Sequence, residues 1–569
     1  MLSGDNGVLQ RATDAKEKTV IAQEEENAKL TFTEVQMELA QGKTVESNQF
    51  QKIVDGNFGT GNATGTIGGG SYIITVARTG INYQMDSNGN ISTLNEVPID
   101  FAPGILEGNG TENNPYVINS VEDLLAFAYN VNSKKTSYEN EYVTLGRNLD
   151  LKDENSYVDA TTKYSLKKND YYDLGYIPDE ESNYSVMDCM TGCYEGKAFI
   201  SIGNKYNLSG FKGKFNGNNH YIKNIDSRFE TYVGLFGNIE GNSEIRNLGI
   251  ESGQIITKST GGYAGGVIAY INSSSNVIID NCYNKSAING SIVGGIIGFN
   301  DSQNSEITNC YNTGSIVYTY RDQNSDGAIG GIIGYINYLN DNPIKNCFNT
   351  GNISTSVTNW TCDVGGISGN GSNEIINCWN SGTIYCNHGY ASGITGRVNQ
   401  DSIIDRCYNM GNVITVNGMY TSGIGNWWMS DSFYGEVTNC FNSGAIVSQN
   451  SSYPSSGIAS FVTTNRKIEF CHNKGSIVNS DANKAGEIVY NGNVNSNNDY
   501  LIKKDDDGNN INANANGATA KTQEEMDEIM SVQNFLNLMN SYVSENNADS
   551  TKTKLKTWKL ENELPVFDN

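Results

Sequence analysis

Apolar residues in this chain fall into short runs separated by Gly, Asn and Ser, and one arrangement of these runs returns seven times between Asn281 and Ile477. Each copy centres on a cysteine: Cys282, Cys310, Cys347, Cys378, Cys407, Cys440 and Cys471. Ile or Val stands three positions before it, from Ile279 and Ile307 to Val437 and Ile468. Asn stands two positions after it, and Ile or Val six positions after it. The steps between cysteines run from 28 to 37 residues, within the period of roughly 20 to 50 that marks solenoids, propellers and arrays. Several units carry a further run about midway, such as Val293-Gly294-Gly295-Ile296-Ile297-Gly298 and Ile329-Gly330-Gly331-Ile332-Ile333-Gly334. No run is long or periodic enough for a helix, so the pattern predicts three strands per turn of a parallel β-helix. The general preference for right-handed crossovers makes it right-handed.

Strand parity adds detail. The Ile at −3 and the Cys cannot both face inward along one straight strand, so the chain must bend between them, at the intervening Asn (Asn309 in the second copy). Turns stacked about 4.8 Å apart then place Cys over Cys and Asn over Asn, the latter as an amide ladder that satisfies polar groups where the chain turns. With Cys inward, the aromatic residue after it points out. Tyr283, Tyr311, Phe348, Trp379, Tyr408 and Phe441 would form a stripe about 25 Å long, a candidate surface for a glycan or a partner protein through stacking. The alternative is that these rings cover the corner or pack on neighbouring loops.

Outside the repeats the pattern changes. Residues 5 to 41 follow three- and four-residue spacing (Leu9, Ala12, Ala15, Ala28, Phe32, Val35, Leu39) and predict one long helix ended at Gly42. Ser71–Val76 and Ile81–Tyr83 read as strands, with an Asp86–Asn90 turn leading to Ile91. Ser120 opens an amphipathic helix with Asp123 in the capping position, placed to cap the first solenoid turn. Thr522 with Glu525 opens a helix carrying Met526, Ile529, Met530, Phe535 and Leu538, and Trp558 to Phe567 reads as a closing strand; together these are expected to cap the far end. The domains expected are 1–97 (helix and small β-sheet), 98–110 (linker), 111–235 (N-terminal cap and degenerate turns), 236–490 (regular repeats) and 491–569 (C-terminal loop, capping helix and strand).

Composition narrows the function. Thirty-eight basic residues against 63 acidic ones give a net charge of −25, which argues against nucleic acid and anionic membrane surfaces. No apolar run reaches the length of about 18 residues needed to span a bilayer. Seven of the 11 cysteines are repeat positions, read as a buried thiol stack; Cys189 and Cys193 form a candidate disulfide, or a metal site if two more ligands joined them. Calcium is weakly suggested by Asp505-Asp506-Asp507-Gly508, without the spacing of an EF-hand. Otherwise no cofactor or metal is expected. His220, His388 and His472 are the three histidines; His472 occupies the aromatic slot after Cys471. No zinc-protease, nucleophile-elbow or phosphate-loop motif occurs. The enzymatic alternative is a glycan-cleaving β-helix, which requires convergent carboxylates. Asp401, Asp405 and Arg406 are the best such cluster, read otherwise as a surface salt bridge; Asp280 shares the repeat slot of Asp405.

Two resemblances carry further expectations. Leu2 to Ala12 with Ala15-Lys16-Glu17-Lys18-Thr19 resembles the stretch after the membrane segment in type IV pilin-like (prepilin-type) proteins of Gram-positive anaerobes. In that family a cleavable leader and an apolar helix half come first; neither precedes it here, so Met1 is expected to be an internal residue or the chain a soluble portion. Phe211 to Ile225, Val233 to Gly237 and the Gly-Gly-Ile-Ile-Gly runs resemble GLUG-repeat proteins of bacterial surfaces. Together they imply a pilin-like module displaying a β-helix outside the cell, as an adhesin-like, non-catalytic protein or as a minor pilin with a solenoid tip. Glycans, host or matrix proteins, and pilin subunits are the implied partners.

Overall fold

In the computed structural model, residues 5–68, 71–76, 82–87, 89, 91–93, 106–132, 136–151, 199, 201–203, 210–227 and 231–568 are described, the last range less the loop residues 258–260, 274, 303, 319–326, 338–341, 357–360, 372–373, 399–401, 428–434, 461–465, 491–496 and 504–515. The chain divides into two compact units, one centred on Met1–Phe101 and one on the residues from Ala102 to Asn569.

The first unit pairs a long helix, α1 (Asp5–Ala40), with a shorter one, α2 (Ser47–Phe58), against a four-stranded antiparallel sheet. Gly42, at φ 77°, follows α1 after one residue, Gln41, in the left-handed conformation that ends helices. Ala28, Phe32 and Val35 bury one face of α1 with Phe50 and Val54 of α2 and with Ile74, Val76, Tyr83 and Met85 of the sheet. The expected strands are present as Ser71–Val76, Asn82–Met85 and Ile91–Thr93. Helix α2 has too short an apolar stripe, Phe50 and Val54, to stand out in the sequence.

The second unit is a parallel β-solenoid. Two of its sheets have nine strands each, ordered one strand per turn. A turn holds five strands rather than three. In the second copy these are Asn304–Thr308, Tyr311–Asn312, Ile316–Tyr318, Gly327–Gly330 and Ile333–Ile336. Two of the three apolar runs are each broken by a sharp bend. One bend is at the asparagine before the cysteine: Asn281, Asn309, Asn346, Asn377 and Asn439 have φ between 53° and 60°, a region that Asn tolerates through local side-chain bonding. The other is at Gly-Gly. A Cβ on Gly331 would lie 2.0 Å from the carbonyl of Gly366 and 2.5 Å from Cγ of Asn349, so only glycine lets the wall meet the amide column.

The stacking follows the repeat. Ile279 pairs with Ile307, Ile307 with Ile344, and Ile344 with Ile375. The seven repeat cysteines are fully buried, and none is paired in a disulfide. Each thiol donates to a carbonyl one turn earlier, as in Cys407 Sγ to Ile375 O, 3.4 Å, and Cys471 Sγ to Val437 O, 3.4 Å. The Asn column runs Asn284, Asn312, Asn349, Asn380, Asn409, Asn442 and Asn473, each amide donating to the next side-chain oxygen at 2.8–3.0 Å. A continuous apolar core extends from Leu106 to Val489.

Both ends of the pattern have helices. Helix α3 (Val121–Asn132) is capped by Ser120, whose hydroxyl accepts from Asp123 N at 3.1 Å, while Asp123 accepts from Asn119 N at 2.9 Å. It sets Phe127 against Tyr138, Phe211 and Phe215, closing the first turns. At the other end, the expected single helix is two, α4 (Gln523–Ile529) and α5 (Val532–Ala548), because Ser531 caps a new start by accepting from Asn534 N. The expected closing strand is a hairpin, Trp558–Glu561 with Leu564–Phe567, turning through Asn562 and Glu563 at φ 51° and 64°. Helix α5 and the hairpin lie along a flank of the coil, not across its far end.

Candidate binding faces

The aromatic column is where parity places it, outside the corner, but it is not open. From Tyr283 to Trp379 the rings stack on one another: centroids are 4.8–5.0 Å apart and planes within 12°. Their π-faces are thus occupied by their own neighbours. Their edges are covered from Tyr311 onward by the C-terminal segment, with Phe567 5.4 Å and Trp558 5.9 Å from Phe348, and Phe535 4.8 Å from Tyr408 and 5.7 Å from Phe441. Trp379 is fully buried. The expected open stripe is therefore corrected: stacked rings along a parallel ladder make an apolar strip too large to leave in water, and the chain's own tail covers it. The alternative reading, that the rings pack beneath other segments, describes them.

The tail also uses the corner asparagines. Asn309 Nδ2 donates to Lys554 O at 3.0 Å and Asn309 Oδ1 accepts from Lys556 N at 2.8 Å. Asn346 Nδ2 donates to Lys556 O at 3.0 Å, and the Trp558 indole N–H donates to Asn346 Oδ1 at 2.6 Å.

The acidic candidates are committed elsewhere. Asp405 and Arg406 are brought together as an ion pair, and Asp401 lies outside the described residues. Asp405 Oδ1 accepts from Thr438 Oγ1 at 2.7 Å and from Asn439 Nδ2 at 2.8 Å, both one turn on. Asp280 repeats the arrangement with Thr308 (2.8 Å) and Asn309 (2.6 Å), and pairs with Arg246 at 3.1 Å. The shared slot braces the next corner. A shallow groove nearby holds Glu244 and Glu306, at the same outward position two turns apart. Glu244 pairs with Arg246 at 3.0 Å and Lys214 at 3.1 Å; burial pushes its carboxyl up, and the two cations together bring it below the ordinary value. Glu306 accepts from Thr553 Oγ1 at 2.5 Å. A general acid needs a carboxyl held above its ordinary value, the opposite of Glu244.

His472 Nδ1 lies 3.1 Å from Asp499 and its ring packs edge-on to Phe441; His220 Nδ1 meets Asn148 Oδ1 at 3.1 Å. The Cys189 and Cys193 pair and Asp505–Asp507 lie outside the described residues. Among the described residues no group of three or more His, Cys, Asp or Glu side chains could hold a metal ion, and no helix is long and apolar enough to cross a membrane.

Two faces escaped the sequence reading. Tyr263, Phe299 and Tyr335 form a second stacked ladder, 4.8–4.9 Å apart, and the aromatic two places after Ile297 and Ile333 was its signal. The other is the sheet from Ile225–Ser227 to Ile477–Asn479. Its inward residues are the Ile or Val six positions after each cysteine, so the residues between them face out. Val317, Ser354, Tyr385, Ile414, Val447 and Val478 stand in register on successive turns, a column about 24 Å long. Tyr385 is 41 % and Val478 54 % exposed. From Gly253–Ile256 onward no strand of this sheet contains a charged residue.

No family model matches the chain and no curated protein matches it. Among solved structures it is similar to a protein from Bacteroides ovatus provisionally named an immunoglobulin A1 protease, at 18% identity and a TM-score of 0.39, covering 84% of this chain and 99% of that one. At that level the likeness assigns no activity.

Proposed function

We propose that this chain is a surface-displayed, non-catalytic, adhesin-like binding protein, and that the uncharged column from Val317 to Val478 is its contact face for a protein partner. The observation that carries the reading is the exposure of Tyr385 and Val478 on a sheet whose strands carry no charge from Gly253–Ile256 onward, in a chain of net charge −25. Parallel sheets are ordinarily covered on both faces; an apolar outer column left open fits a partner that supplies the cover. A flat, uncharged strip suits a matrix or host protein better than an acidic glycan, which the net charge repels. The pilin-like and GLUG resemblances support display outside the cell, with the first unit as the base through which pilin subunits would be met.

The test is retention of the purified chain on an array of glycans and matrix proteins, with reducing-end release read in the same wells with and without calcium. Retention on protein spots, lost at least tenfold in Val478→Asp with the melting temperature unchanged, is the expected result. Retention indifferent to Val478→Asp and Tyr385→Ala removes this face. Release of reducing ends replaces the reading with the glycan-cleaving one.

A further inference from the structure

The Asn column ends in a way that no other turn shares. In the turns before it, the glycine at the second position of this bend, after Gly or Ser, abuts the column: Gly295 against Asn312, Gly331 against Asn349, Gly366 against Asn380, Gly423 against Asn442 and Gly457 against Asn473. On the following turn that slot is Glu487, whose backbone carbonyl stacks on Gly457. Its side chain is 1 % exposed, and its Oε2 accepts from Asn473 Nδ2 at 3.0 Å. The same oxygen accepts from Lys503 Nζ at 2.9 Å. Asn473 is fully buried, and its Oδ1 accepts from Asn442 Nδ2 at 2.8 Å.

The geometry points to an intramolecular amide bond between Lys503 Nζ and Asn473 Cγ, with Glu487 as the proton carrier. One buried carboxylate oxygen is hydrogen-bonded to both the nucleophile's nitrogen and the leaving nitrogen, the kind of shared positioning that favours such a reaction. Glu487 takes one proton from the Lys503 ammonium, and the free amine adds to Asn473 Cγ. The Asn442 amide N–H stabilises the charge that develops on Asn473 Oδ1, reinforced by the aligned amide bonds behind it. The carboxylic acid of Glu487 gives its proton to Nδ2, the Cγ–Nδ2 bond breaks, and ammonia leaves with the nitrogen's electron pair. The new bond replaces the old one; giving up that proton already returns Glu487 to its carboxylate, and the extra proton on the product nitrogen passes through Glu487 to the departing ammonia, which leaves as ammonium, so nothing is oxidised or reduced. The product staples the last regular corner to the segment after Leu501, at the end from which a solenoid frays.

Intact-mass spectrometry of the full chain, denatured and reduced, decides it. The expected wild-type mass is one ammonia below the sequence mass, and proteolysis yields a branched peptide joining Lys503 to Asn473. Glu487→Gln and Lys503→Arg are expected at their full sequence masses with two separate peptides. A wild-type chain at full mass, or one that has lost ammonia without the branched peptide, overturns the bond and leaves a buried ion pair that terminates the column. Since the wild-type mass decides by itself, a variant that fails to fold does not obscure the result.

Discussion

Seven successive corner residues, Asn281 to Phe470, adopt the left-handed conformation at φ between 51° and 60°. Five are asparagines, which tolerate it; Arg406 and Phe470 are not. A residue without that tolerance costs about 1–2 kcal/mol there. Arg406 has partial recompense in its pairing with Asp405 and its approach to the Tyr542 ring, whereas Phe470 is 45 % exposed. Phe470→Asn is therefore expected to stabilise the chain by about 1 kcal/mol. Asn377→Ala is expected to destabilise it by about 2 kcal/mol, through strain and the lost 2.7 Å bond to Asn346; urea melts of the full chain check both. The cysteines make a second case. Burial pushes the thiols of Cys282, Cys310, Cys347, Cys407 and Cys440 well above the ordinary value of 9.0. The unfolded chain then releases protons near pH 9 that the folded chain retains, so stability is whole below that pH and falls as pH rises through it. Melts at pH 8 and pH 10.5 should show a falling urea midpoint, and a thiol reagent should label the native chain slowly and the unfolded chain at once.

At the scale of elements, the C-terminal segment is a cover for the column rather than a cap for the coil. Trp558 is its anchor, packed on Phe348 and Phe567 and bonded to Asn346. Trp558→Ala is expected to cost about 3–5 kcal/mol, confined to the tail: hydrophobic dye binding rises and proteolysis begins after Lys521, while the solenoid's own transition stays in place. The coil itself was legible from residues, because a strict repeat of Ile, Cys and Asn over many turns has few packings, and the parity clash at Asn309 located the bend. The Gly-Gly bend could not be seen the same way; Gly330 and Gly331 sit inside one apolar run, and their need for closeness to the Asn column is a contact between distant positions. The column's fate was hidden for a like reason. Parity tells which way Trp379 points, but not that Phe535 and Trp558, more than a hundred residues on, lie over the same strip. Glu487 was readable in hindsight as the one acid in a slot otherwise held by glycine.

For the molecule as a whole, charge acts through excess rather than through pairs. The ion pairs are mostly short-range and partly exposed, such as Lys285 with Glu251 and Lys467 with Glu469, and such pairs contribute about 0–1 kcal/mol each. Against them stands the repulsion of 63 acidic groups among themselves with only 38 basic ones to offset it. In a stacked coil that repulsion is renewed at every turn, because a carboxylate on one turn has neighbours about 4.8 Å up and down the axis. Glu306, Glu374 and Glu436 recur on alternate turns of one outward row, with Pro343 and Ile403 between them, a spacing that doubles their separation yet keeps them near the Debye length of about 10 Å at 0.1 M salt. Raising salt shortens that length to about 3 Å at 1 M, so repulsion should be screened more than the contact pairs lose. The melting temperature is therefore expected to rise by several degrees between 0.05 M and 0.5 M sodium chloride, read by circular dichroism. A fall would mean that the pairs, taken together, hold the coil more strongly than its net charge opens it.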